Sequence, residues 1–174
     1  MMSGTVSTQI VRGQTSILAG DTVGSTTTAT AFGTSWSMPA NFLTIGRTLK
    51  VKAWGTYSTA AALAGNLTFD VMGGTTVICT TGAQTLTVGL GNDAWKVEAD
   101  IIGVTTGAAG AVEAQGLAIM QTAALAANLD FMTNTAGVSL NTTVAQTIGL
   151  RVTWSATGNT VTQRLFNCGI GGMQ

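Results

Sequence analysis

Apolar and polar residues alternate with a period of two through most of the chain after its first third. In the stretch TLKVKAWGTYST, Leu49, Val51 and Ala53 share one face of an extended strand, while Lys50 and Lys52 share the other. Successive side chains of a strand point to opposite faces of its sheet, so this alternation predicts a half-buried β-strand. The alternation therefore predicts that this part of the chain forms β-strands with one buried face and one solvent-exposed face.

Glycine-containing turns separate the alternating stretches. NLTFDVMGGTTVICTTG predicts a hairpin that turns at Gly73–Gly74, because glycine tolerates positive φ at such positions. The register of this hairpin places Ile78 on the face of Val71. It places Cys79 on the opposite face, together with Asp70.

A second hairpin, AWKVEADIIGVTTGAAGAVEAQG, is predicted to turn at Gly107–Ala108. Asp100 then falls near Gln115, and Glu98 falls near Leu117. The predicted solvent-exposed face of this hairpin thus carries charged and large apolar side chains next to one another.

The segment QTAALAANLDFM is ambiguous in its periodicity. Its alanines would accept a helical turn, so we expect a loop or a short helix there. QTIGLRVTW then alternates again, and TVTQRLFNCGI predicts the last strand. Trp36, Trp95 and Trp154 are expected in the core.

Together the strands predict an all-β fold: a single jelly-roll β-sandwich of about eight antiparallel strands, with an extended N-terminal arm. A length of 174 residues suits one domain and allows a core without metals or disulfides. We expect residues 1–25 to form the arm and residues 26–174 to form the jelly-roll domain.

Charge is scarce in this chain. Seven basic and seven acidic residues cancel, and charged residues make up 8% of the sequence, against about 25% in ordinary soluble domains. Nucleic-acid binding needs a basic patch, and the sequence has no Lys/Arg cluster, so we expect no nucleic-acid partner. A surface this neutral favours association, which predicts a protein surrounded by other protein.

Several functional patterns are missing from the sequence. Without histidine, no Ser-His-Asp or Cys-His arrangement can form, and no P-loop motif is present. Cys79 and Cys168 could form one disulfide or stay two buried thiols, and we expect the thiols. The start MMSGTVSTQIVRG lacks signal-peptide features, and the longest apolar run is too short to span a membrane. We expect no cofactor, no metal and no membrane partner, and synthesis in a cytoplasm.

Glu98 and Asp100 are a candidate catalytic pair. Residues two apart on a strand lie about 6.6–7 Å apart, within the range of the carboxylates of glycoside hydrolases. The alternative is a set of solvated strand charges, some of them pairing with Lys96 on the same face. We expect this alternative, because exposed Asp and Glu are ordinary, and we expect no enzymatic activity.

Four apolar side chains on strand faces that are predicted to be solvent-exposed are candidates for a protein interface. Trp54 could stack on a sugar ring or on a protein partner, and we expect the partner, because aromatic residues are enriched at protein interfaces. The others lie on the second hairpin, and such side chains meet either the other sheet or another subunit. The candidates are Trp54, Ile102, Leu117 and Ile119.

Three stretches, GRTLKVKAWGTYST, AWKVEADIIGVTTGAAGAVEAQG and TIGLRVTWSATGNTVTQRLF, resemble a recurrent type of tailed-bacteriophage virion protein. The resemblance covers Arg47 to Phe166 and lies in a GTYS-like turn, a W-x-V-x-A strand, a TTGA turn and a W…GNT element. It implies a jelly roll of the tumour-necrosis-factor-like kind. It also implies a homotrimer that decorates, or cements, the major capsid protein lattice on the capsid exterior. No catalytic residue is carried over with it.

The expected function is therefore a non-enzymatic one, stabilisation of an assembled capsid. The alternative is a tail-fibre or head-fibre tip that binds host-surface carbohydrate through an exposed aromatic residue such as Trp54.

Overall fold

The structure is a computed structural model that describes residues 20–123, 126–134 and 136–171, and within these ranges it contains β-strands and no helix. Eight strands are five residues or longer: β4 (Thr48–Ser58), β5 (Asn66–Gly73), β6 (Thr76–Thr80), β8 (Asp93–Thr105), β9 (Ala111–Ala123), β10 (Ala126–Thr133), β12 (Gln146–Trp154) and β13 (Thr160–Gly171). The shorter strands are β1 (Asp21–Gly24), β2 (Thr30–Ala31), β3 (Trp36–Met38), β7 (Gln84–Thr85) and β11 (Val138–Ser139).

The strands form two antiparallel sheets. The large sheet has the order β1-β13-β4-β8-β9-β10, with β11 beside β9. The small sheet has the order β2-β12-β5-β6, with β3 beside β12 and β7 beside β5. Without β9 and β10, the six remaining long strands together with β1 and β2 follow the order of an eight-stranded jelly roll, so the predicted fold class is confirmed. The hairpin β9–β10 is an addition to the edge of the large sheet.

The core lies between the two sheets and is built from the apolar face of each alternating strand. Phe69 of the small sheet contacts Trp95 of the large sheet, with the ring centroids 4.6 Å apart. Trp36, Trp95 and Trp154 are all buried, as predicted. Burial of this apolar surface is the main term that favours the folded sandwich.

The prediction of a loop or short helix for QTAALAANLDFM is wrong. Its first residues continue β9, and residues 126–132 belong to β10. Most of β10 is exposed on both faces, so no buried face imposed an apolar alternation on its sequence.

The first hairpin forms as predicted, but the predicted face of Cys79 is wrong. Gly73 pairs with Thr76, which places the turn one residue later than expected. The register shifts between Val71 and Met72, so Ile78 is an extra residue and Cys79 pairs with Val71 on the core side. Cys79 and Cys168 are buried free thiols, as expected.

Residues 1–19 of the predicted arm lie outside the described residues. Residues 21–24 form β1, which pairs with β13 at one edge of the large sheet. The Thr-rich stretch that follows contains β2 and β3.

Candidate interaction surface

The outer face of the large sheet collects the charged residues of β4 and β8. Alternation directs the apolar residues of both strands into the core and the remaining side chains outward. Lys52 lies directly opposite Glu98, and Lys50 lies opposite Asp100. The charged pattern KVEAD is therefore one row of an ion-pair ladder between two neighbouring strands.

The ladder holds Glu98 between two lysines. The Lys52 Nζ lies 3.0 Å from Glu98 Oε1, and the Lys96 Nζ lies 2.9 Å from the same oxygen. The hydrogen bond from Lys96 and then the one from Lys52 lower the pKa of Glu98 below its ordinary value of 4.5. Lys50 and Asp100 are 3.6 Å apart and more exposed. The two carboxylates thus offset two of the three lysine charges in this part of the face.

This arrangement is unsuited to a catalytic acid. A glycosidase acid needs a raised pKa so that it holds a proton at neutral pH. The pKa of Glu98 is moved the other way, and Asp100 also faces a lysine. The geometry fits the expected alternative, in which these are solvated strand charges with lysine partners.

An apolar patch lies beside the ladder. It consists of Leu117 and Ile119 on β9, which are partly buried, and Leu129 and Phe131 on β10, which are exposed. Leu129 lies opposite Ile119, and Phe131 lies opposite Leu117. Phe131 is 75% exposed and Leu129 is 57% exposed, which is unusual for adjacent large apolar side chains on one strand face. We call these four residues the β9–β10 patch.

The ladder and the β9–β10 patch meet at a surface hollow. It has a volume of about 380 Å³, and Glu98, Leu117 and Phe131 are among its lining residues. A second hollow of about 320 Å³ shares Asp100 and Gln115 with the first. The face therefore offers depressions that a protein side chain could fill.

All four predicted interface residues lie on this outer face, but not at one point. Lys96 lies opposite Trp54 on one side and Ile119 on the other, and Leu117 lies next to this row, opposite Glu98. Trp54 is 41% exposed. Ile102 lies near the other end of β8, opposite Glu113 of β9, and is 39% exposed. The structure thus groups three of the candidates and separates the fourth.

Leu129 and Phe131 were missed in the sequence because their segment was expected to be a loop or helix. The signal that could have found them is the short alternation Leu129, Asp130, Phe131, Met132. Met132 is fully buried, and Phe131 beside it points outward. A run of only four alternating residues after an alanine-rich stretch is a weak strand signal.

Asp130 is the third notable residue of β10. It lies opposite Ala118, on the reverse side of the strand from Leu129 and Phe131. Its Oδ2 atom is buried and has no hydrogen-bond partner among the described residues. Desolvation raises the pKa of this carboxyl group. A buried carboxylate oxygen without a donor is costly, and such groups are rare in folded proteins.

Comparisons with protein-family models, with curated protein sequences and with solved structures found no match to this chain. Within residues 20–123, 126–134 and 136–171, no three His, Cys, Asp or Glu side chains are close enough together to hold a metal ion. The same ranges contain no helix with the length and hydropathy needed to cross a membrane.

Proposed function

We propose that this protein is a structural protein of a tailed-bacteriophage virion. In this proposal it is a homotrimer that binds the assembled lattice of the major capsid protein from the capsid exterior and stabilises it, without enzymatic activity. The observation that carries the proposal is the outer face of the large sheet, where the β9–β10 patch stands beside an ion-pair ladder. Such a face suits contact with protein.

The fold supports the same proposal. The three stretches that resemble phage virion proteins coincide with β4, with the β8–β9 hairpin and with β12–β13. The resemblance implied a jelly roll, and the described strands have jelly-roll order. Fold alone does not determine function, so the surface is the stronger support.

The charge pattern suits a capsid-stabilising role. A protein that binds only the assembled lattice stabilises that state by mass action. A trimer multiplies weak contacts, because its second and third sites bind at a high effective concentration. A surface of few and mostly paired charges also loses little affinity when salt is raised.

The test is the copy number of this chain in purified virions, measured by mass spectrometry against the major capsid protein. The proposal expects a copy number in fixed proportion to the capsid subunit. A handful of copies per particle would instead assign the chain to a tail or fibre, and absence from particles would overturn both assignments. Adding purified protein to capsids that lack it should raise their melting temperature.

A second candidate function is carbohydrate binding at a fibre tip, and the exposure of Trp54 favours it. An exposed indole can stack on a sugar ring as well as on a protein. Neither hollow on the outer face is lined by Trp54. Glycan-array binding that is lost in Trp54→Ala would support this function. Capsid binding that survives the same substitution would support capsid decoration.

A further inference from the structure

The two hollows on the outer face of the large sheet lie next to each other along the strands. Asp100 and Gln115, which pair across β8 and β9, line both of them. From this shared pair, the hollow of about 380 Å³ extends towards Leu117 and Phe131, and the hollow of about 320 Å³ extends the opposite way, towards Glu113. The two hollows therefore form one groove, which we call the β8–β10 groove.

The two ends of this groove differ in chemistry. One end carries large apolar side chains, because the partly buried Leu117 and the exposed Phe131 lie opposite each other there. The other end is acidic: it is lined by the carboxylates of Asp100 and Glu113, with the apolar side chain of Ile102 beside them. An apolar side chain suits the first end. Lysine or arginine, each a cation on an apolar stem, suits the second.

Glu113 gives the acidic end an unbalanced charge. Asp100 has Lys50 as its partner at 3.6 Å, whereas Glu113 forms no ion pair within the described residues. Lys50 therefore offsets only one of the two carboxylate charges at this end. Because Glu113 is exposed, it is accessible to a cation of a partner. The acidic end is thus complementary in charge to a single basic side chain.

The spacing of the two ends fits an extended protein segment. On β9, one hollow is lined by Glu113 and Gln115, and the other is lined by Gln115 and Leu117. Their centres are therefore two strand residues apart, or about 6.8 Å. Side chains i and i+2 of an extended segment point to the same side at this same spacing.

We propose that the β8–β10 groove binds an extended segment of a different protein. In this complex a lysine or arginine of the segment occupies the acidic end. An apolar residue two positions away in the segment packs against Leu117 and Phe131. This inference deepens the proposed function and rests on it, because the capsid protein is then the partner that carries the segment.

A second copy of this chain fits the groove less well than a different protein does. All six basic residues in the described part of the chain are already engaged in their own copy: four form ion pairs, one donates to a backbone carbonyl, and one has another interaction. They are Arg47, Lys50, Lys52, Lys96, Arg151 and Arg164. Moving one of them into a neighbour's groove would leave its present partner uncompensated, so the net gain is small. A protein that brings a cation without such a partner gains more.

A peptide selection tests the groove without capsids. Random seven-residue peptides displayed on yeast are selected for binding to the full-length wild-type protein, with counter-selection against the Glu113→Lys variant. The expected motif is a lysine or arginine followed or preceded, two positions away, by an apolar residue. A synthetic peptide with this motif should bind Glu113→Lys and Phe131→Ser at least about tenfold more weakly than wild type. Selected peptides without this spacing, or no selected peptides, would overturn the inference.

Co-sedimentation with capsids measures the same contact in the assembled state. Glu113→Lys should weaken capsid binding by about tenfold or more, and Glu113→Gln should weaken it by a smaller factor. The matched control is Thr85→Lys at an exposed position of β7 in the small sheet. It changes the net charge by the same amount as Glu113→Gln and should leave capsid binding unchanged.

The outcomes separate this inference from the proposed function. Wild-type binding to capsids that Glu113→Lys does not weaken overturns the inference and leaves the proposed function standing. A trimer that Glu113→Lys dissociates also overturns it, because a second copy would then occupy the groove. Absence of the chain from virions overturns the proposed function and removes the capsid protein as the partner. The peptide selection then decides by itself whether the groove binds a segment of the stated chemistry.

Discussion

Gly55 lies directly opposite Trp95 across the β4–β8 pair, and the backbone of β13 passes close to both. A Cβ atom added at Gly55 would lie 1.8 Å from the carbonyl oxygen of Thr162 and 3.0 Å from the indole of Trp95. The indole Nε1 donates to the carbonyl oxygens of Thr56 and Thr162, each at 3.2 Å. The missing side chain at residue 55 thus permits this close packing at the centre of the large sheet.

Gly55→Ala should therefore destabilise the protein by at least about 2 kcal/mol, because backbone of β13 must move to admit one methyl group. The matched control is Gly169→Ala on β13, where an added Cβ would meet no atom within 4 Å. That substitution should change the free energy of unfolding by less than about 1 kcal/mol. Urea unfolding at a fixed protomer concentration measures both. Equal effects of the two substitutions would contradict this account of the packing.

Asp70 and Arg151 form an ion pair on the outer face of the small sheet. Arg151 Nε and Nη2 donate to Asp70 Oδ2 at 3.0 and 2.7 Å, and the Asp70 side chain is only 7% exposed. Arg151→Met should lower the free energy of unfolding by about 2–3 kcal/mol, because it leaves the buried Asp70 carboxylate without its partner. Adding Asp70→Asn should recover part of that loss. Unfolding of both single variants and the double variant gives the coupling, and strict additivity would contradict a direct interaction.

The sequence predicted the register of the β8–β9 hairpin but not the register of β5–β6. Asp100 pairs with Gln115, as expected, although the turn is offset by one residue from the predicted position: Thr105 pairs with Ala111, and a bulge between Gly103 and Thr105 restores the expected register. In β5–β6, Ile78 is an extra residue that transfers Cys79 to the core. One inserted residue reverses the faces of all residues beyond it, and apolar residues on both faces conceal the change.

The interaction surface was predictable only in part. Trp54 and Ile119 were identified because each is an apolar residue at an outward position of a clearly alternating strand. Phe131 was not identified, since its strand has little buried surface on either face and Asp130 occupies an inward position. A strand at a sheet edge is specified by its neighbours more than by its own residues, so its sequence carries less information.

Glu98 should make stability depend weakly on pH. Its folded-state pKa is lowered by Lys96 and Lys52, so its contribution is present above the unfolded-state value and is lost as the pH falls through the folded-state value. Glu98→Gln should lower the free energy of unfolding by less than about 1 kcal/mol near pH 7, because the Glu98 side chain is 43% exposed and solvent screens its ion pair with Lys52. Denaturant unfolding between pH 7 and pH 3 should show wild type and variant converging below pH 4.5. High salt should also reduce the difference in free energy of unfolding between wild type and Glu98→Gln at pH 7. A difference that grows as the pH falls would contradict a stabilising role of the Glu98 carboxylate.

The two thiols should be unreactive in the folded protein. Burial raises the pKa of Cys79 and of Cys168 to about 12, with the charge of Asp70 adding to the effect at Cys79. The thiolate is the reactive form, so a thiol reagent at pH 8 should label neither residue until the chain unfolds. In denaturant both should react. Rapid labelling of the native protein would contradict the burial of the labelled cysteine.

Phe131 should matter for assembly and not for the stability of the protomer. Its side chain is 75% exposed, so Phe131→Ser removes little buried surface and should change the free energy of unfolding of one protomer by less than about 0.5 kcal/mol. Within an interface, an aromatic side chain of this kind carries a large share of the binding energy. The substitution should therefore weaken oligomer formation or capsid binding by about tenfold or more. Sedimentation velocity over a dilution series and co-sedimentation with capsids measure the two effects separately.

The matched control for Phe131 is Leu63, which is 62% exposed in the loop between β4 and β5, away from the outer face of the large sheet. Leu63→Ser removes a similar exposed apolar side chain, so it controls for a general loss of surface hydrophobicity. It should leave the oligomer and capsid binding unchanged. If both substitutions weaken assembly equally, the effect does not come from a specific contact at the β9–β10 patch. If neither does, this patch is not where the protein meets its partners, because a contact centred on Phe131 could not tolerate the loss of its largest side chain.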